Sequence, residues 1–182
     1  MDSIIGEIDP AVFILKPTLG IRFDLRHMQI RWALSAIIAD FYAEYLVTGS
    51  DAERKRLFDE ERHTVSYVLN ELVENAVKFN AGPTIAIEAS RAPTGYHFIV
   101  SNGLRASDIE KVKASFSALV QGDPGELLLK RIEENALGGG NASGIGFLTL
   151  MSDYGIKLGW RFSGDADEPG MVTLSTIARL VL

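Results

Sequence analysis

The 182-residue chain has a formal charge of −6, is 47% hydrophobic and 23% charged, and contains no cysteine. That composition is globular rather than disordered, and it excludes disulfides, thiolate metal sites and cysteine nucleophiles. The acidic balance argues against a general nucleic-acid binder, which needs a basic footprint, but not against a pocket for one nucleotide, whose field is local.

The length suits one domain with a sizeable core, spanning residues 1–182. The N-terminal MDSIIGEIDP lacks a basic region followed by an apolar run, so no signal peptide is expected. No uncharged stretch reaches the length of a membrane span, and the cytoplasm is the expected location. In chain order, residues 11–25 predict a strand, a turn at 16–20 and a second strand, in which Ile21, Phe23 and Leu25 alternate with Arg22 and Asp24. Residues 26–47 predict one long helix. Ile30, Leu34, Ile37, Ile38, Phe41, Tyr45 and Leu46 recur there at three- and four-residue steps, and Gly49 can end it. The charged run at 51–62 reads as a solvated lead-in to a second helix, which stops near Asn80-Ala81-Gly82-Pro83. Thr84–Ser90 and Tyr96–Ser101 read as a hairpin around Pro93-Thr94-Gly95. Two helices are expected in 106–137, with capping-box spacings at Ser107/Glu110 and Asp123/Glu126, the latter with Pro124 in a favoured first position. A glycine-rich stretch, LGGGNASGIG at 137–146, leads into an apolar helix from Phe147 to about Tyr154, stopped by Gly155. Strands at Ile156–Phe162 and Met171–Leu180, around the polar turn SGDADEPG, close the chain. Consecutive hairpins imply a mixed, mostly antiparallel sheet with helices on one face, an α/β (α+β) two-layer sandwich.

Two stretches carry chemistry. The first is the helix YVLNELVENAVKF at 67–79. At about 100° per residue, Glu71, Asn75 and Lys78 fall in one stripe, while Val65, Val68, Leu69, Leu72, Val73, Ala76 and Val77 form a separate apolar face. A carboxylate can take a proton from an attacking hydroxyl or water. A carboxamide oxygen is a hard ligand for a magnesium ion already held by phosphates, and an ammonium pairs with phosphate oxygens as a point charge. A solvated face with favourable charge spacing is the competing reading of that row. The second stretch is the glycine cluster. Gly139, Gly140, Gly144 and Gly146 precede a helix whose unpaired N–H groups suit a phosphate, although a plain flexible loop has the same composition. It is not a Walker A loop, because no Gly-Lys-Ser/Thr follows. His27, His63 and His97 are isolated from one another and read as surface or capping residues.

Together these stretches resemble the GHKL ATPase superfamily, whose ATP-binding domain has the Bergerat fold. Glu71-x-x-x-Asn75-Ala76-x-Lys78-Phe79 resembles its N-box, and Ser143-Gly144-Ile145-Gly146-Phe147 its second glycine box. Residues 104–142 lie where the family has its ATP lid, and Gly170-Met171-Val172-Thr173 resembles the final-strand motif, whose threonine approaches the nucleotide. The glutamate at 71 and the short chain are similar to the anti-sigma-factor serine kinase branch and its SiaB-like relatives. The resemblance implies ATP and magnesium as cofactors, Glu71 as general base, Asn75 as magnesium ligand, and Lys78, Gly140, Gly144, Gly146 and Thr173 near the nucleotide. The implied substrate is a serine or threonine of a STAS-type antagonist in a partner-switching system, and a homodimer is common in that branch. The family's D-x-G-x-G is here Ser101-Asn102-Gly103-Leu104-Arg105. Ser101 takes the adenine-binding aspartate's place, and Asn102 offers a neutral substitute, which implies weaker adenine binding. A non-catalytic partner-binding regulator with a degenerate nucleotide site is the alternative.

Overall fold

The computed structural model describes residues 3–6, 8, 12, 17–26, 32–47, 55–137, 145–164 and 170–182. Its six strands are β1 (Ser3–Gly6), β2 (Leu19–Asp24), β3 (Thr84–Ala92), β4 (Gly95–Arg105), β5 (Lys157–Gly164) and β6 (Met171–Val181). They form one sheet in the order β1-β5-β6-β4-β3-β2. Every neighbouring pair is antiparallel, so the mixed sheet expected from the sequence is an antiparallel one. Among the described residues the five α-helices are α1 (Trp32–Leu46), α2 (Lys55–Phe79), α3 (Ile109–Gln121), α4 (Pro124–Ala136) and α5 (Ile145–Ser152).

Alternation in the central strand sets the layers. Tyr96, Phe98, Val100, Asn102 and Leu104 of β4 are buried, and the residues between them are only half-buried. Directly opposed residues of an antiparallel pair share a face. The register Phe98↔Ala178, Val100↔Thr176 and Asn102↔Leu174 therefore extends this face into β6, and Ile87↔Val100 extends it into β3. The apolar residues of that face pack with Val65, Val68, Leu69, Leu72, Val73 and Ala76 of α2 and with Ile38, Tyr42 and Leu46 of α1 in one core. The Tyr42 hydroxyl donates to the Ile87 carbonyl at 2.8 Å, tying α1 to β3. On the same face, toward the β1–β5 edge, α3 lays Phe116 against Trp160 of β5, which opposes Thr176, with ring centroids 4.2 Å apart.

The structure corrects several expectations. The charged run before the second helix is itself helical from Lys55 onward. Its charges close on themselves and on α1, with Arg62 reaching both Asp59 and Glu44, so a polar sequence still continues the helix. Strand β4 runs past the Asn102-Gly103 pair to Arg105, because β6 pairs with it over its whole length. β1 was not anticipated; four residues bounded by Gly6 are too short for a periodicity signal, and pairing with β5 makes them a strand. Of the apolar residues whose recurrence marks α1 as a helix, Ile37, Phe41 and Tyr45 are 64%, 50% and 52% exposed on its outer side, so a reading of Phe41 as core is not met. The Ser107/Glu110 capping box does not form, since a short 3-10 turn at Ala106–Asp108 makes Asp108 the cap of α3, without a side-chain bond. At the second, Asp123 caps α4, its Oδ1 accepting from the Glu126 N–H at 2.9 Å. The 84–101 hairpin closes through a two-residue loop before Gly95, whose φ of 136° favours glycine. Gly49, the turn at 165–169, and residues 11 and 13–16 of the expected first strand lie outside the described residues, and Val12 is not in a strand.

Leu69 is fully buried where α2 meets the sheet, whereas Ile37 is mostly exposed. Leu69→Ala should lower unfolding free energy by about 3 kcal/mol in urea denaturation, and Ile37→Ala should stay within about 0.5 kcal/mol of wild type.

Candidate functional site

The buried side of α2 fixes where its polar row points. With Leu69, Leu72, Val73 and Ala76 held against the sheet, Glu71 and Asn75 sit half-buried one turn apart at the margin of the core. The element that meets them is α5. A Cβ on Gly146 would overlap Glu71 Oε2 and lie 3.8 Å from Asn75 Nδ2. Glycine at 146 is therefore what allows the start of α5 to rest on the Glu71 carboxylate. The sequence placed Glu71 and Asn75 in one motif and Gly146 in another, and the fold brings the two together.

The Asn75 amide donates Nδ2 to the Glu71 carbonyl at 2.7 Å. Its donor end is engaged by its own helix, which orients Oδ1 as the end suited to a cation. Burial, and secondly the nearby Glu74, push the Glu71 carboxyl above the ordinary carboxylate range. Glu74 accepts from Asn70 Nδ2 at 2.9 Å, and Asn70 Oδ1 is buried without a partner. One turn before Glu71, Tyr67 stacks on Tyr154 with centroids 5.0 Å apart. Burial raises the Tyr67 phenol, and the charges of Glu71, Asp153 and Glu74 add to it. Asn70, Glu74 and Tyr67 were not singled out in the sequence. Helical spacing would have found them: Tyr67 lies four before and Glu74 three after Glu71, and Asn70 lies four before Glu74.

Other candidate residues lie elsewhere. Lys78 is exposed, its ammonium 5.3 Å from the Phe79 ring centroid. Asn102 is 3% exposed and shares the helix-covered face with Val100, its Nδ2 donating to the Gly103 carbonyl at 3.3 Å. Ser101, Gly103 and Thr173 alternate with Asn102 and Leu174 and so belong to the opposite face. The Ser101 hydroxyl bonds that of Ser175 at 2.8 Å. With Arg22, Thr84 and Ala86, Ser101, Gly103 and Thr173 line a hollow of about 90 Å³, below the usual volume of a ligand pocket. Gly103 has a packing reason for lacking a side chain: a Cβ there would lie 2.6 Å from Gly82 Cα. Its N–H donates to Asn80 Oδ1 at 2.9 Å, joining the end of α2 to β4. The expectation that Ser101 stands in for an adenine-binding carboxylate thus meets a geometric obstacle, because its side chain points away from the Glu71 side. Gly139, Gly140 and Gly144 lie outside the described residues.

A magnesium nucleotide fits what is present on the helix side. The donor set supplies one carboxylate, one carboxamide oxygen and the start of a helix, with a buried orphan amide oxygen at Asn70. Among the described residues no group of three or more His, Cys, Asp or Glu could hold a metal, so a cation there depends on oxygens brought by its ligand. No described helix is long and apolar enough to cross a membrane.

No protein-family model matches the chain, and no curated protein matches it. Among solved structures, the chain is similar to one from the crystal structure of the SiaB-SiaC complex from Pseudomonas aeruginosa. The two share 18% identity with a TM-score of 0.64, over 94% of this chain and 98% of that one. At that identity the likeness establishes a common fold.

A raised Glu71 carboxyl binds more protons folded than unfolded, so stability falls as pH climbs from the ordinary carboxylate range through the raised value. Glu71→Gln removes that cost. The variant should be more stable than wild type at neutral pH, with the gap closing below about pH 4.5 in thermal melts across pH. Gly146→Ala, by contrast, should lower the melting temperature at every pH, because its methyl group displaces the carboxylate.

Proposed function

We propose that this chain is a Mg-ATP-dependent protein serine/threonine kinase of a partner-switching system, built on a Bergerat-type domain and acting on a STAS-type antagonist in the cytoplasm. The observation that carries the reading is the junction at which Gly146 of α5 rests on Glu71, one turn from Asn75. It joins two stretches some seventy positions apart in the chain that each suit phosphoryl transfer. The shared fold with a chain of a SiaB-SiaC complex supports a protein partner.

Mg-ATP supplies the transferable phosphoryl group when bound. Glu71 accepts the proton of the incoming hydroxyl, and its burial makes it a stronger base than an exposed carboxylate. Asn75 Oδ1 would hold the cation, its amide fixed by the bond to the Glu71 carbonyl. The start of α5 would offer N–H groups to phosphate oxygens, and its packing on α2 leaves the carboxylate only half-exposed. Little covalent chemistry is asked of the protein, so positioning carries most of the rate.

A second reading is favoured by one observation: Ser101 faces away from Glu71, and Asn102 is the polar residue of β4 on the helix side. An adenine site without a carboxylate is weaker, and a protein of this fold that only binds its partner would have the same geometry.

Two measurements separate them. Mg-ATP should raise the melting temperature of the kinase, and label should pass from ATP to a co-expressed STAS protein, at least a hundredfold more slowly in Glu71→Ala, on the order of a lost general base. Partner binding with neither nucleotide stabilisation nor transfer would establish the second reading. Asn75→Ala should cost more nucleotide affinity with magnesium than with EDTA; equal losses would remove the metal from Asn75.

A further inference from the structure

One side chain of the lid segment is left with both its polar atoms buried and unmatched. Asn135, in the last turn of α4, has Nδ2 and Oδ1 each shielded from solvent with no hydrogen-bond partner. It is the one described residue with two such atoms. Burying an amide without partners opposes folding, and no residue of α4 is fully buried. A leucine or alanine would therefore satisfy the helix better, and packing does not explain the asparagine.

Its place in the fold indicates what it meets. A Cβ on Gly125, near the start of α4, would lie 3.7 Å from Ser152 Oγ at the end of α5. The two helices pack against each other, so they run antiparallel. The end of α4 that carries Asn135 is then the end at which α5 begins, where Gly146 meets Glu71 and Asn75. One amide donor and one amide acceptor are thus withheld from water at the end of α4 that lies toward the start of α5. A phosphate oxygen accepts from Nδ2, and a water on a phosphate-bound cation donates to Oδ1.

We infer that Asn135 is a lid-borne phosphate-binding residue that completes its hydrogen bonds only when a magnesium nucleotide is present. The inference rests on the nucleotide reading above and adds to it a contact from outside α2 and α5. Asn135 is held ready at a cost to the ligand-free protein, and the ligand relieves that cost.

The test compares wild type with Asn135→Leu and, in case leucine overpacks, Asn135→Ala. Melting temperature without nucleotide is measured first, then Kd for Mg-ATP and for adenosine by calorimetry. The expected result is an unchanged or higher melting temperature without ligand, together with a Kd for Mg-ATP raised about tenfold, as for a hydrogen bond to a charged group. Adenosine affinity should not change. A lower melting temperature with unchanged Mg-ATP affinity in both variants makes Asn135 structural and overturns the inference. An equal loss for adenosine moves the contact to the base and overturns it as well. Wild-type protein that binds no Mg-ATP overturns the nucleotide reading and this inference together, whereas wild-type binding that both variants retain overturns this inference alone.

Discussion

The close approach of α5 to α2 at Gly146 is the contact on which the rest of the site depends. A carboxylate half-removed from water is costly unless something compensates, and here the start of a helix is pressed onto it. That approach tolerates no side chain at 146. It also requires that α2 cannot rotate, a condition met by its apolar side. Leu69, Leu72 and Val73 are each no more than 1% exposed, so any turn of the helix about its axis would expose core surface. The core thus fixes the direction of the Glu71 and Asn75 row, and the missing Cβ lets α5 close on it.

Sheet parity is the second constraint. Since β4 and β6 pair without a bulge from Gly95↔Val181 to Arg105↔Met171, each side chain's face is set by whether its position is odd or even. Asn102 therefore faces the helices, while Ser101 and Thr173 do not. One consequence is chemical: the polar group that β4 offers on the helix side is a carboxamide, which both donates and accepts. The other is architectural. The opposite face has its own small polar hollow, with Arg22, Ser101 and Thr173, separated from the Glu71 side by the thickness of the sheet.

Much of this was legible beforehand, for reasons that differ by element. The α2 helix and the 84–105 hairpin were readable because their periodicity and turn residues agree with their tertiary partners. Glu71 and Asn75 were readable as a row because helical spacing alone places them together. Their contact with Gly146 was not, because it depends on how α5 packs across the sheet. β1 escaped because strand pairing, rather than its own residues, makes it a strand. The exposed Ile37, Phe41 and Tyr45 show the reverse failure: apolar spacing on α1 identified a helix, yet its two apolar sides could not be ranked without knowing which one the sheet covers. Ser101 was placed by motif alignment, and one residue of offset along a strand moves a side chain to the other face.

We propose that a magnesium nucleotide binds at the α2–α5 junction, on the helix-covered side of the sheet. Side-chain amide and backbone NMR spectra of labelled protein, titrated with a non-hydrolysable ATP analogue and magnesium, report on both faces at once. The expected shifts are concentrated at Asn75 Nδ2, at the Gly146 N–H and at Asn102, with Ser101, Thr173 and Ser175 unmoved. Shifts clustered at Thr84, Ser101 and Thr173, with Asn75 and Gly146 silent, would contradict it.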